Sequence, residues 1–164
     1  MPMILSGSCH CGSVAYSVES QAPVPFMRCY CSICRKMGGG GGYAINLSAI
    51  ARTMQVDDDE PVAVYSAELT AEDGTTYTSS AERSFCTKCG TALWSFDSRW
   101  PELIHPFASS IDTELPIPPS HVHIMLDFKA SWAQIERGPD DQVFDRYPDQ
   151  SLEAWHKAKG LWVE

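Results

Sequence analysis

The chain has 164 residues, of which 44% are hydrophobic and 20% charged, and this composition predicts a single globular domain over residues 1–164. Its formal net charge of -9 argues against nucleic acid or anionic membrane as a partner, because both require a basic face. The N-terminus lacks an export signal, and no stretch approaches the about 20 apolar residues that span a bilayer. We therefore expect a cytoplasmic protein with reduced thiols. Nothing in the sequence indicates an oligomeric state.

The elements predicted in the first half are short strands and loops. Ser13 to Val18 alternates apolar and polar residues, which predicts a strand. Five consecutive glycines, Gly38 to Gly42, predict a loop that is either a flexible connector or a segment facing a ligand. Val62 to Tyr65 and Thr75 to Thr78 are β-rich runs, the second of which directly follows an Asp-Gly turn signal.

The second half continues in the same style and ends in a helix. The apolar run from Ala92 to Phe96 follows the last cysteines, and the proline-punctuated segment from Pro101 to Pro119 predicts a loop. His121 to Phe128 alternates, which predicts a half-buried strand with His123 on its more polar side. Ser151 can cap a short helix from Leu152 to Lys159. The chain as a whole is predicted to be mainly β with short helical pieces.

The cysteines carry the strongest chemical signal. All seven fall into three groups: Cys9 and Cys11; Cys29, Cys31 and Cys34; and Cys86 and Cys89. Zinc takes four ligands at tetrahedral corners, and a closely spaced cysteine pair supplies two corners from one tight turn. Cys86 and Cys89, followed by Gly90, have the form of a zinc knuckle, in which the glycine lets the backbone turn beneath the metal. One pair is half a site, and Cys9 and Cys11 can complete it as a four-thiolate site.

The other three cysteines have no fourth cysteine beside them. Three protein ligands and an open position are typical of a metal that binds water or substrate, so Cys29, Cys31 and Cys34 are predicted to hold a second, catalytic zinc. The alternative is a second structural zinc completed by a histidine. The candidates for that ligand are His10, His105, His121, His123 and His156. Disulfides are disfavoured by the odd cysteine count and the missing export signal, whereas a redox centre at a Cys-x-x-Cys pair is a further alternative.

Three segments of the chain, in order, resemble the glutathione-dependent formaldehyde-activating family, which includes the centromere protein V-like domains. They are Gly7 to Tyr16, Cys29 to Lys36 and Arg83 to Leu93, and the similarity extends over about residues 7–135, to His123-Ile124 and Trp132. The resemblance implies an Mss4-like fold of several curved antiparallel β-sheets with zinc knuckles and short helices. It also implies a structural zinc at Cys9, Cys11, Cys86 and Cys89, and a substrate-facing zinc at Cys29, Cys31 and Cys34.

The activity implied by the resemblance is that of a carbon–sulfur lyase-type enzyme, which joins glutathione to formaldehyde and yields S-hydroxymethylglutathione. A zinc with an open position suits this chemistry, because the thiolate is the nucleophile and a bound metal favours it. The glycine run could present backbone N–H groups to a glutathione carboxylate, whereas Arg28, Arg35 and Lys36 are expected to be ordinary surface charges. Two other functions remain open: a non-catalytic zinc module that binds a small thiol or a protein partner, and a zinc-thiolate redox sensor.

Overall fold

The computed structural model describes residues 1–164, and short strands dominate the chain. In chain order the strands are β1 (Met3–Ser8), β2 (Ala15–Ser20), β3 (Met27–Cys29), β4 (Ala44–Ile45), β5 (Ala49–Ile50), β6 (Gln55–Val56), β7 (Val62–Tyr65), β8 (Glu68–Thr70), β9 (Thr76–Thr78), β10 (Ala81–Cys86), β11 (Ala92–Asp97), β12 (Leu103–Pro106), β13 (Val122–Ile124) and β14 (Gln142–Val143). The helices are α1 (Ser32–Gly38), α2 (Leu152–Ala158) and 3-10 turns at Ala51–Thr53, Ala108–Ser110 and Leu126–Phe128. The predicted mainly β class with short helices is confirmed.

The strands form four small sheets. Three strands pair in the order β1-β2-β6, five in the order β5-β12-β11-β10-β7, four in the order β14-β13-β3-β4, and β8 pairs with β9. All pairs are antiparallel except those that β13 makes with β3 and with β14. The β10–β11 pairing shifts register between Ser84 and Phe85, whose partners are Trp94 and Ala92, so Leu93 is the extra residue of a bulge in β11, a feature that bends and twists a strand. Both α-helices have seven residues, and no helix of the molecule has the length and apolarity needed to cross a membrane.

Several strand predictions hold, but one predicted loop contains a strand and one predicted strand is too long. The strand Val62–Tyr65 has the predicted bounds, and the strand predicted from Ser13 begins two residues later. The segment Pro101 to Pro119 was expected to be loop but contains β12, which pairs with β11 and β5. The strand predicted over His121 to Phe128 stops at Ile124, because Met125 adopts the left-handed conformation at φ 60° and a 3-10 turn follows.

Two hydrophobic clusters form the core, and each contains two of the cysteines predicted to bind metal. The first lies between the three-stranded and five-stranded sheets and includes Cys9 and Cys86, together with Leu5, Val14, Tyr16, Val18, Leu47, Ala49, Leu93, Trp94 and Ile104. The second includes Cys29 and Cys34, together with Val24, Phe26, Ala44, Ala92, Phe107, Val122, Ile124 and Trp155. Two thiols of each predicted metal site are therefore part of a packed core, which fixes where they point.

Helix α2 closes the second cluster through two neighbouring side chains. The Trp155 ring stacks on Phe26 with a centroid separation of 3.6 Å, and His156 is fully buried beside it. His156 donates from Nδ1 to the Leu152 carbonyl at 2.7 Å, and its Nε2 accepts the backbone N–H of Val24 at 3.0 Å. Burial lowers the pKa of His156, so the ring stays neutral and keeps both hydrogen bonds at neutral pH.

Candidate metal centres

Four cysteines from two distant parts of the chain meet at one point. Cys9 and Cys11 lie in the turn after β1, Cys86 ends β10, and Cys89 lies in the turn that follows. Their Sγ atoms all lie within 4.8 Å of one another, with 3.5 Å between Cys9 and Cys11 and 3.8 Å between Cys11 and Cys86. Tetrahedral zinc with Zn–S bonds of about 2.3 Å separates its sulfurs by about 3.8 Å, so this donor set fits the metal.

The two turns that carry these cysteines have the same construction. Gly12 and Gly90 both adopt φ 77°, a left-handed conformation that suits glycine, and each donates its N–H to the carbonyl of the first cysteine of its turn. Thr91 forms a hydrogen bond of 3.2 Å with the Cys89 thiol, and this bond, together with hydrogen bonds from Cys11 and from the Thr91 backbone, lowers the pKa of that thiol to about 5. Because cysteine binds metal as the thiolate, this turn favours the form that a metal requires.

The remaining three cysteines form a second cluster on the other core. Cys29 is the last residue of β3, Cys31 is the N-cap of α1, and Cys34 lies in the first turn of that helix. Their Sγ atoms also lie within 4.8 Å of one another, and Cys31 Sγ accepts the backbone N–H of Cys34 at 3.3 Å. No histidine or carboxylate lies within 4.8 Å of these three sulfurs, so the alternative of a site completed by one of the five histidines has no support in this arrangement.

Two polar side chains reach Cys34, one from β10 and one from the residue that follows β4. Arg83 Nη1 lies 3.4 Å from Cys34 Sγ, and Asn46 Nδ2 points to the same sulfur at 3.8 Å. Hydrogen bonds from Cys29 and Cys31, together with the positive charge of Arg83, lower the pKa of the Cys34 thiol. Hydrogen bonds with Cys31 and Cys34, together with burial, raise the pKa of Cys29. The cluster therefore holds one preferred thiolate, and the cation beside it compensates negative charge that a metal bound by three thiolates would carry.

A cavity of about 300 Å³ lies beside this cluster, at the lower end of the range for small-molecule sites. Asn46 and Arg83 line it and also contact Cys34, so its wall continues into the surroundings of the three cysteines. Arg83 is the only lysine or arginine in the lining. The wall also contains two exposed aromatic side chains, Trp100 and Tyr147.

The negative charge in the cavity wall is already paired. Asp97 accepts hydrogen bonds from the Arg99 guanidinium, the shortest at 2.6 Å from Nη2 to Oδ2, and from Ser80 Oγ at 2.9 Å. The hydrogen bonds from Arg99 outweigh burial and lower the pKa of Asp97 to about 2. Arg83 has no such carboxylate partner within salt-bridge distance. Arg83 is therefore the one cation of the lining and has no carboxylate partner; its charge faces Cys34 Sγ and also favours an anionic ligand in the cavity.

A buried hydrogen-bond chain supports the loop between the first two of these cysteines. Tyr30 lies between Cys29 and Cys31 in sequence, and its hydroxyl is 3.1 Å from Nδ1 of His123. His123 Nε2 is in turn 3.0 Å from Oδ2 of Asp141. Burial opposes the ionisation of Asp141, but hydrogen bonds from the His121 backbone, the His123 ring and the Gly138 backbone lower its pKa to about 2. His123 was expected on a polar face, and the structure buries it completely.

The other residues singled out in the sequence have structural roles. Gly39 and Gly42 donate their N–H groups to the carbonyls of Arg35 and Gly39, and no glycine of the run lines the cavity, so the expected contact with a carboxylate has no support. Arg28 is half-buried, with its guanidinium over the Tyr43 ring at 4.9 Å. The sequence analysis missed Arg83 as a site residue. One indication was available in the sequence: strand alternation places Arg83 and Cys86 on opposite faces of β10, so Arg83 points away from the four-cysteine cluster.

The chain is similar to known proteins over the region that contains all seven cysteines. The profile of a family described as glutathione-dependent formaldehyde-activating enzyme matches residues 4–127. A Halomonas elongata protein, named provisionally as a glutathione-dependent formaldehyde-activating enzyme, is 55% identical over 159 residues, which are 97% of this chain and 98% of that protein. The crystal structure of a Rhodobacter sphaeroides protein is also similar, with a TM-score of 0.50 and 26% identity over 68% of this chain and 91% of that one.

Proposed function

The chain belongs to the glutathione-dependent formaldehyde-activating enzyme family, and on that premise we propose that it is a carbon–sulfur lyase-type enzyme. The proposed reaction joins glutathione to formaldehyde and yields S-hydroxymethylglutathione. The observation that carries the proposal is the cluster of Cys29, Cys31 and Cys34, which has no fourth protein ligand and adjoins a cavity whose lining contains one cation, Arg83. A site built only for structure would be closed by a fourth ligand, as the other cluster is.

The proposed cofactor is zinc at both cysteine clusters. Cys9, Cys11, Cys86 and Cys89 would hold a structural ion, because four thiolates leave no position for a substrate. Cys29, Cys31 and Cys34 would hold the ion used in the reaction. Bound there, zinc would lower the pKa of a thiol that occupies the open position. All seven cysteines are free of disulfides, which suits the reducing cytoplasm where glutathione is abundant as a thiol.

The chain's own residues supply binding and orientation. Arg83 offers its charge to an anionic group of the ligand, either a carboxylate of glutathione or its thiolate. Asn46, the residue after β4, points its Nδ2 at Cys34 Sγ. Its Oδ1 is buried without a hydrogen-bond partner, so it can accept from a ligand amide that reaches it. Holding a thiol next to the aldehyde carbon makes the addition effectively unimolecular, which is where most of the acceleration would arise.

The experiment that tests the proposal measures exchange between free glutathione and S-hydroxymethylglutathione at equilibrium by NMR, with isotope-labelled formaldehyde. The uncatalysed addition is subtracted, because the two reactants combine without an enzyme. We expect the protein to raise the exchange rate in proportion to its concentration. The variant Cys31→Ser, which removes one ligand of the three-cysteine cluster while leaving the four-cysteine cluster complete, serves as the matched control. Equal rates with and without protein would refute the proposal.

Metal content provides a second, independent measurement. We expect about two zinc ions per chain, of which mild chelation removes one. Glutathione should protect or displace the labile ion, and Cys31→Ser should retain only the inert ion. Two inert ions that are indifferent to glutathione would instead indicate the non-catalytic module.

A further inference from the structure

We propose that His105 is the proton-transfer residue of the cavity: its Nε2 takes the thiol proton of glutathione and returns a proton to the aldehyde oxygen. This role rests on the proposed function and adds to it a residue that belongs to neither cysteine cluster. His105 lines the same cavity as Arg83 and Asn46, the two residues whose side chains contact Cys34 Sγ. It is thus the only histidine in the wall of the space that a thiol substrate would occupy.

The backbone holds the His105 ring in one orientation. His105 is in β12, and its Nδ1 lies 2.8 Å from the carbonyl oxygen of Leu47. The Leu47 N–H in turn donates to the carbonyl of Pro106 at 2.8 Å, so the two segments clamp each other. Leu47 directly follows Asn46 in the chain, and this dipeptide therefore fixes both the histidine and the preferred thiolate of the cysteine cluster.

The hydrogen bond to Leu47 also decides which ring nitrogen can act as a base. A carbonyl oxygen only accepts, so Nδ1 of His105 must carry the proton, and in the neutral ring Nε2 keeps its lone pair. Nε2 has no hydrogen-bond partner in the protein, and it is not among the side-chain atoms that are buried without one, so it remains accessible. Burial lowers the pKa of His105, which keeps the ring neutral at pH 7.

The charged and titratable groups around the ring do not compete for this role. Asp97 of β11 favours the charged ring slightly, but its own carboxylate is paired with Arg99. Arg83 is permanently charged and can donate but not accept. Tyr147 also lines the cavity, with a largely exposed side chain, and it carries no nitrogen base. His105 is therefore the neutral nitrogen base of the wall.

The proposed step is balanced without any further reactant. The sulfur of glutathione forms a bond to the formaldehyde carbon, and the π electrons of the carbonyl move onto oxygen. The thiol proton passes to Nε2 of His105, and the imidazolium then protonates the alkoxide, so the ring ends the cycle neutral. In the reverse direction the same nitrogen takes the hydroxyl proton and returns it to sulfur, as microscopic reversibility requires.

The test compares the wild-type protein with His105→Asn, measured by the NMR exchange rate after subtraction of the spontaneous reaction. The asparagine amide occupies roughly the Nδ1 position and can still donate to Leu47, so the fold and the metal content should be unchanged. General acid–base catalysis typically contributes about 10²- to 10⁴-fold, and we expect the catalysed rate to fall by at least about 10²-fold. The wild-type rate should also decline with falling pH, at a pH below the ordinary histidine value of about 6.5 because burial lowers the pKa of His105, and the variant should lack this decline.

A second readout does not depend on activity or on the variant. Nitrogen-15 NMR of the wild-type imidazole should show a proton on Nδ1 and none on Nε2 at pH 7, and glutathione should shift the Nε2 resonance. A proton on Nε2 would overturn the inference. So would an unchanged catalysed rate and pH profile in His105→Asn, and in that case the proposed function would stand. Failure of the wild type to exceed the spontaneous rate would instead remove the proposed function itself, and the role of His105 with it.

Discussion

Replacing Arg83 with methionine tests whether the three-cysteine cluster depends on a cation in the cavity wall. Methionine has a similar length and no charge, so Arg83→Met removes the interaction between Nη1 and Cys34 Sγ, which is 3.4 Å long. Two unit charges at that distance attract by about 5 kcal/mol at an effective dielectric constant of about 20. Part of this attraction is offset because the half-buried guanidinium gives up hydration. The net contribution of a hydrogen bond to a charged group is about 1.5–3 kcal/mol, and we take this value as the loss expected in Arg83→Met.

A loss of about 1.5–3 kcal/mol corresponds to a roughly 10- to 150-fold weaker affinity for metal at Cys29, Cys31 and Cys34. This agrees with the about 10- to 100-fold effects of residues that orient metal ligands in other sites. The four-cysteine cluster lies on the other core and should keep its affinity, so it is an internal control in the same molecule.

The assay is competition between the protein and a chelator of known zinc affinity, followed until each of the two ions is released. Arg52→Met is the matched control, because Arg52 is exposed and lies in a 3-10 turn outside both cysteine clusters. Equal affinities of the wild type and Arg83→Met at both sites would refute the electrostatic argument. Weakening at both sites would show that the substitution disturbs the fold rather than the charge.

Three further outcomes are expected. The variant Cys86→Ser should lose the inert zinc and unfold at markedly lower denaturant concentration, because Cys86 is fully buried in the first core cluster. Gly42→Ala should cost about 1–2 kcal/mol in urea unfolding, since Gly42 has φ 93° and a Cβ would lie 3.1 Å from Ala133, whereas Gly40→Ala, with open space around it, should be neutral. Burial lowers the pKa of His156 in the folded protein, so below about pH 6.5 this histidine binds a proton in the unfolded chain but not in the folded one. The free energy of unfolding should therefore decrease by up to about 1.4 kcal/mol for each pH unit below about 6.5. In His156→Asn this decrease should be smaller.

The parts of the fold that the sequence predicts are those with a local signal. A β-rich run located β7 and the helix-capping serine located α2 closely, and cysteine spacing grouped the thiols as the structure groups them. The segment Pro101 to Pro119 carried no such signal, because β12 is defined by its pairing with the preceding strand β11 and with β5, which is far away in sequence. His123 was misjudged for the same reason. Its polarity suggested exposure, and only the approach of Asp141 and Tyr30 explains its complete burial.

The site residues outside the cysteine motifs are likewise brought to the site by contacts between distant parts of the chain. Strand β10 links the two cysteine clusters in this way. Its last residue, Cys86, faces the first core cluster, and Arg83, on the opposite face, reaches Cys34 in the second. The position of a side chain on a strand depends on the position of the strand, and Cys86 of the four-cysteine cluster fixes the end of β10. A structural metal at that cluster would therefore hold Arg83 in register with Cys34. The three-cysteine cluster thus depends on the four-cysteine cluster, but the reverse does not hold, because none of Cys29, Cys31 and Cys34 lies on β10.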